Sequence, residues 1–413
     1  MQSTSISSWP TPIRALRHRE FRFYFFGQAF SHLGKWIQQV GLSWLVYHLT
    51  SSATLLGIAT FCSLAPQLIV GPAAGAWADK VNKRFLLIVV LALLAIQALT
   101  LAVLTALELV TPIVIILMSL LLGVLNAIEN PLRQAMISGF IGHKDDIPNG
   151  LALNAMLFNA SRFIGPPLAG LLVALTGEAA CFALNSLAFI APLIAIVLIP
   201  GRPQPAVQSS LLNAFKEGLS YSFSTPIIRV LMLSVVVVNV TAASYAVLLP
   251  IVTKDMLDGD SKTLGGLWGA AGFGALAATI LLSALSNTSH LKRIIAAALI
   301  VSCGGMFLLS SFSEFNLSLL ALCMMGFGIS CTNVSSNILL QTYSPDHMRG
   351  RVVSLYISLR SGFEAVGGLV AGWLASYYGA KVTFGVEGSI LAILAIGLYF
   401  QFARAKQSSM SES

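Results

Sequence analysis

Asn126, Glu129, Asn130 and Arg133 stand at i, i+3, i+4 and i+7, so in a helix they share one face. Further on, Asn159 and Arg162 share a face with Pro166 and Gly170, and Gln28, His32, Lys35 and Gln39 recur at helical spacing earlier in the chain. Asn333, Asn337, Arg360 and Glu364 form a comparable set near the carboxyl end. All of them interrupt runs of apolar residues. Charge in hydrocarbon is costly, so such residues are expected to face a polar pathway for a substrate or for protons. Glu129 and Glu364 are the carboxylates best suited to carrying a proton, and Lys35, Arg162 and Arg360 are cations available to an anionic ligand. Plainer roles are open for several residues. Glu129 and Arg133, four apart, can form an ion pair that fixes helix packing. His32 can titrate near neutrality or serve as a hydrogen-bonded cavity histidine. Gly165, Pro166, Pro167 and Gly170 permit close helix contact and bending.

The elements that must hold these residues are membrane spans. Of 413 residues 56% are hydrophobic and 10% charged, with a mean hydropathy of +0.83. A soluble domain carries about 25% charged residues, so most of this surface must meet lipid. Twelve stretches approach the roughly 20 residues needed to cross a bilayer: 21–48, 52–78, 85–107, 112–139, 148–175, 179–199, 227–250, 264–286, 292–312, 316–342, 350–376 and 382–402. On this register Arg162 lies about 14 residues, some 21 Å, from one end of its span, which is mid-membrane. The net charge of +8 is gathered between spans. With both termini on one side, only Lys254, Lys262 and Lys381 of the 24 Lys and Arg fall in the opposite connections. That bias puts both termini in the cytoplasm, with Arg14, Arg17, Arg19 and Arg22 leading into an uncleaved first span.

The segment 200–226 opens Pro-Gly-Arg-Pro-Gln-Pro and continues with Leu212, Phe215, Leu219 and Phe223 at helical spacing. It reads as a polar linker followed by an amphipathic helix on the membrane surface. The linker separates residues 1–199 from 227–413, six spans each, and the two parts echo one another. Asn126-x3-Asn130-x3-Gln134 returns as Asn333-x3-Asn337-x3-Gln341, and Gly170 with Gly177 returns as Gly372 with Gly379. Two six-span repeats related by an axis along the membrane normal are the major facilitator arrangement.

Four stretches resemble the major facilitator superfamily and, more narrowly, the bacterial transmembrane-secretion-effector group of macrolide-efflux and enterobactin-exporter type. They are Gly34 to Tyr47, Gly75 to Arg84, Gly123 to Gly170, and Pro345 to Tyr356. The resemblance implies an all-α fold of 12 helices and outward, proton-coupled movement of a small molecule. It makes the 75–84 loop a conformational gate in which Asp79 contacts the span-4 arginine, here Arg133. Asp79, Lys83, Arg84, Arg133, Arg349 and Arg351 form the gating set on that reading, with Lys80, Lys83 and Arg84 at the anionic leaflet. Where some relatives place an acid in span 1, this chain has Lys35.

No P-loop, HExxH helix or Gly-x-Ser-x-Gly elbow is present, and the five cysteines make no CxxC or Cys/His cluster. The expectation is a transporter rather than an enzyme, with no cofactor, no metal and no nucleic-acid partner. It is expected to be a monomer in the bacterial inner membrane. Its partners would be the bilayer, a small-molecule substrate (siderophore-like metabolite or drug) and protons. A cationic cavity favours anionic or hydroxyl-rich substrates. An importer of the same fold, and a non-transporting receptor or scaffold, are the alternative readings. An Arg162–Glu364 latch between the two parts is a further expectation.

Overall fold

The computed structural model describes residues 11–80, 82–199, 211–284 and 290–411; side chains of 72–80 and 211–216, among others, fall outside the description. The opening of the linker and the side chain of Asp79 therefore lie outside the described residues. Among those described there is no strand. Six long helices come first: α1 (Arg19–Thr50), α2 (Ala53–Lys80), α3 (Lys83–Ala106), α4 (Pro112–Ile137), α5 (Ile147–Thr176) and α6 (Glu178–Leu198). The amphipathic helix of the connecting segment is α7 (Leu211–Ser224). Then follow α8 (Pro226–Val240), α9 (Tyr245–Ile251), α10 (Ser261–Ser283), α11 (Leu291–Ser311), α12 (Phe315–Tyr343) and α13 (Asp346–Ser411). Ten described stretches are long and apolar enough to cross a membrane. α13 is one of them although it holds two spans, and α1 falls short because its polar stripe dilutes it.

The structure departs from the sequence expectation in two places. The seventh is not a continuous helix over 227–250. It breaks after Val240, passes through a short 3-10 turn at Ala242–Ser244, resumes as α9, and ends in a wide π turn at Val252–Met256. Asn239 and Thr241 donate to the carbonyls of Val235 and Val237, and Ser244 donates to that of Thr241. Such back-bonding competes with the helical ladder and bends it. The eleventh and twelfth spans are joined through Gly379 alone, at φ 76° and ψ 166°. Gly177 joins α5 to α6 in nearly the same conformation, φ 82° and ψ 175°. A side chain there would be strained, which explains the second glycine of each repeat.

The first glycine of each repeat has another use. Gly170 on α5 lies against Gly265 on α10, where a Cβ would come within 3.1 Å of the Gly265 Cα. Gly372 on α13 lies against Gly57 on α2, where a Cβ would come within 3.0 Å of the Gly57 Cα. These two seams, α5 with α10 and α2 with α13, join the first six spans to the last six. Each begins at the end of the bundle opposite the termini, called here the far end. The α2–α13 seam continues inward to Leu68 against Gly362, and the α5–α10 seam to Arg162 and Phe163 against Gly272. Small residues let the backbones approach closely where lipid gives helices no hydrophobic reason to associate.

Candidate functional site

The polar residues of α1 and α4 meet in one buried cluster. Lys35 donates to Oε2 of Glu129 at 3.1 Å, and Arg133 Nε lies 3.0 Å from Oε1 of the same carboxylate. The Lys35 contact is an aligned hydrogen bond, whereas Arg133 adds charge without an aligned N–H. Arg133 also donates to Asn130 Oδ1 at 3.2 Å. Glu129 is fully enclosed, and the Lys35 side chain keeps 23% exposure. The cluster thus carries one excess positive charge and is reached by way of Lys35. Burying a single charge costs several kcal/mol, and pairing and hydrogen bonding offset that cost. Within α4, Pro131 removes one ladder hydrogen bond beside Glu129.

Arg162 sits elsewhere, where the two parts of the molecule touch. Its guanidinium lies over the Trp36 ring at 5.6 Å and donates to the Tyr245 hydroxyl at 3.2 Å. Trp36 meets Phe158 and Trp268, and Tyr245 meets Trp268 at 5.6 Å between ring centres. The arginine is therefore held in an aromatic box built from α1, α5, α9 and α10. A guanidinium on such faces gains about 0.5–2 kcal/mol. The expected pairing of Arg162 with Glu364 is not made; the two form no ion pair among the described residues, and Tyr245 takes the guanidinium. Nor does Arg360 form one with Glu364.

The remaining candidates divide by what they touch. His32 is buried, meets Phe158 edge-on, and has no hydrogen-bond partner for Nε2. Gln28 is buried, while Asn126 and Gln39 are half-buried. The neighbouring Gln38 makes the stronger network, accepting from Asn185 at 2.5 Å and donating to Gln97 at 3.4 Å. Asn159 donates back to its own helix at Ala155 O. Asn333 is matched in a two-way amide pair with Asn239, at 2.9 and 3.4 Å, and its carbonyl accepts from Tyr356. Asn337 accepts from Gln341.

Two of the residues assigned to gating, Arg84 and Arg349, cap helices. Arg84 donates to the carbonyls of Ile196 and Val197, the last turn of α6, at 3.1 and 2.9 Å. Arg349 donates to Gln341 O near the end of α12 and pairs with Asp346 at 2.7 Å. Cations at helix carboxyl ends satisfy orphan carbonyls and the dipole. Arg351 pairs with Glu217 at 2.5 Å and so ties α7 to the start of α13. Arg133 is engaged by Glu129, and the contact with Asp79 falls outside the described residues. Lys83 has a partner of its own.

The far end carries contacts that the sequence did not mark. Tyr47, at the end of α1, donates to Asp255 at 2.6 Å, and Lys254 lies over the Trp44 ring at 5.3 Å. Ser261 donates to Gly170 O at 3.0 Å across the α5–α10 seam. Tyrosines and tryptophans inside apolar runs read as lipid-facing, so only the acid at Asp255 was available as a signal. Opposite, at the end that carries the termini, Arg14, Arg17 and His18 converge on Asp146 at 3.1, 2.8 and 2.8 Å. Against desolvation, which would raise it, the His18 hydrogen bond and the Arg17 charge hold this carboxyl below the usual aspartate range.

A crevice of about 480 Å³ lies beside the α5–α10 seam, bounded by Phe163, Pro167, Phe273, Phe315 and Cys323. Its walls are apolar and offer no convergent polar group to orient a ligand, so the charged cluster and the aromatic box are the better candidates. No group of His, Cys, Asp and Glu suited to a metal occurs among the described residues.

Comparison with known proteins gives a consistent answer. A family described as transmembrane secretion effector matches residues 10–413. The staphyloferrin A transporter of Staphylococcus aureus is 28% identical, covering 93% of this chain and 96% of its own. The multidrug efflux pump Tap of Mycolicibacterium fortuitum is 25% identical over 85% of this chain and 88% of its own. Among solved structures, the nucleoside transporter NupG superposes with a TM-score of 0.73 at 13% identity, over 94% of this chain and 99% of its own. A bacterial homologue of the human lysosomal transporter Spinster, inward-facing and unoccupied, gives 0.74 at 11% identity over 94% and 97%. The fold is thus that of transporters and the relatives are transporters, not enzymes; the chain belongs to the transmembrane secretion effector family of the major facilitator superfamily.

Proposed function

We propose that this transporter exports a small anionic or hydroxyl-rich molecule across the bacterial cytoplasmic membrane by alternating access, in antiport with protons. Residues 1–199 and 227–413 are the two halves that rock against one another, joined by 200–226, with both termini cytoplasmic. The observation that carries this reading is the Lys35–Glu129–Arg133 cluster, a net-positive site in which the glutamate is enclosed and the lysine half-buried. An anionic group on the substrate competes with Glu129 for Lys35. The Arg162 box supplies a second cation and flat aromatic faces for a ring or a planar acid group. The pathway is completed by Gln28, His32, Gln39, Asn126, Asn130, Asn159, Asn333, Asn337, Arg360 and Glu364. The staphyloferrin A transporter and the Tap pump among the relatives support a small-molecule substrate, and efflux by Tap supports the outward direction. Glu364, without an ion-pair partner among the described residues, is a carboxylate free to exchange a proton.

The far-end contacts, Tyr47 with Asp255 and the two glycine seams, support a state closed to the outside. Transport is tested in everted membrane vesicles energised by respiration, offered citrate-based and catecholate siderophores and a cationic dye. Export predicts accumulation of one of these together with a partial collapse of the pH gradient, and its loss in Glu129→Gln. Accumulation only in right-side-out vesicles would establish an importer and reject the proposed direction.

A further inference from the structure

Glu387, on the last span, is a buried carboxyl that the proposed pathway does not use. It is 3% exposed, and its one hydrogen-bond partner among the described residues is Ser244 Oγ at 2.7 Å, in the short turn that breaks the seventh span. The same Ser244 hydroxyl donates to the carbonyl of Thr241. A hydroxyl has one hydrogen to give. Ser244 is placed to donate to both the Thr241 carbonyl and Glu387 Oε2; with its hydrogen on the carbonyl, the one between Ser244 and Glu387 comes from the carboxyl. Among the described residues no cation pairs with it to stabilise a carboxylate. On α11, Lys292 and Arg293 are about 14 residues, or some 20 Å, from the level of Glu387, and Cys303 donates to Gly388 O. α12 carries no charged residue, and Arg229 is at the first turn of α8. On α13, Lys381 is exposed, and Arg360 and Glu364 lie on the limb before Gly379. Lys254, Asp255 and Tyr245 are engaged with Trp44, Tyr47 and Arg162 of the other half. An isolated carboxylate in such surroundings is costly enough that the group binds a proton instead.

We infer that Glu387 is a proton-binding site that holds the Thr241–Tyr245 break in its present shape, and through Tyr245 supports the contact with Arg162. On losing its proton the carboxylate needs the Ser244 hydrogen. That hydrogen leaves the Thr241 carbonyl, and the turn that aims Tyr245 at Arg162 is released. The proton departs by the route the turn opens, and no other bond changes. The link to transport rests on the antiport reading; the protonation itself does not.

The full-length protein in lipid vesicles is followed by infrared spectroscopy of the neutral-carboxyl C=O stretch and by hydrogen exchange of residues 241–256, corrected for the intrinsic rate, from neutral to alkaline pH. The inference expects a neutral-carboxyl band at neutral pH that Glu387→Gln removes and Glu129→Gln leaves. It also expects a rise of several-fold in exchange at alkaline pH in the wild type and none in Glu387→Gln. A band untouched by Glu387→Gln, or the same rise in both proteins, overturns it while leaving export intact. If Glu387→Gln is not monodisperse, Ser244→Ala answers: it removes the acceptor and moves the band to higher frequency, and an unmoved band is a refutation. A confirmed band with no proton movement in the everted vesicles would sink the antiport reading and keep this site.

Discussion

The two halves share a backbone plan and differ in how they keep polarity inside the membrane. The first half buries charge around an acid and leaves a cation in excess: Lys35 and Arg133 each lie within ion-pair distance of the one Glu129 carboxylate. The second half buries neutral groups, the Asn239–Asn333 amide pair, and one acid bonded only to a serine. The glycines show what was held common. Gly177 and Gly379 turn the chain, and Gly170 and Gly372 let the halves touch. The glycines that turn the chain and close the seams are thus repeated while the buried chemistry is not.

The contrast is most sharply broken at the polar centres. Glu129→Ala leaves two buried cations unpaired and should cost about 3–5 kcal/mol, whereas Asn333→Ala strands one neutral amide and should cost about 1–3 kcal/mol. Thermal unfolding in detergent checks the order, and equal losses would erase the distinction between the halves. The seams come next. Gly170→Val and Gly372→Val each drive a side chain into a facing backbone, so each should lower transport at least tenfold while the protein still reaches the membrane. If only one does, the seams are not equivalent. Tyr47→Phe removes one hydrogen bond to Asp255 and should open the far end by about 1.5 kcal/mol, roughly tenfold in population. Labelling of an introduced cysteine on the central cavity wall reads this, and an unchanged labelling rate would remove Tyr47 from the closure. The smallest effect belongs to Asp146, whose partners Arg14 and Arg17 are 40% and 32% exposed. Its folded carboxyl is held below the ordinary aspartate range, so its stabilisation is present at neutral pH. It is lost as pH falls below that range through the depressed value. The amount is under about 1 kcal/mol. Asp146→Asn should flatten the acid limb of a melting-temperature profile, and an unaltered limb would show the cluster to be inert.

The spans were legible because lipid imposes length and hydropathy on every helix that crosses it. The common face of Glu129 and Arg133 was legible because four residues make about one turn. The break in the seventh span was not, since Asn239, Thr241 and Ser244 back-bond within a helix without lowering its hydropathy enough to mark a stop. Gly379 alone replaced the loop expected between 376 and 382, because one left-handed glycine turns a chain that hydropathy divides only coarsely. Arg84 was read as a lipid anchor, since its partners at Ile196 and Val197 lie more than a hundred residues away and are backbone atoms, which sequence does not distinguish. Glu387 is enclosed, and the serine it meets lies more than a hundred residues away, which sequence does not show.

The seams also bear on leakage. Gly57, Gly170, Gly265 and Gly372 place backbone against backbone, and beside the Ser261 hydrogen bond their attraction is dispersion, which loses about a quarter to a half of its strength within about an ångström of separation. A contact of that kind has no stretched intermediate of its own. It is made along its length or it is gone, unlike a row of long ion pairs that can yield one at a time. Partly parted halves would lose the seams' attraction and gain nothing, so the barrier to ions should stay intact until the whole far end moves at once.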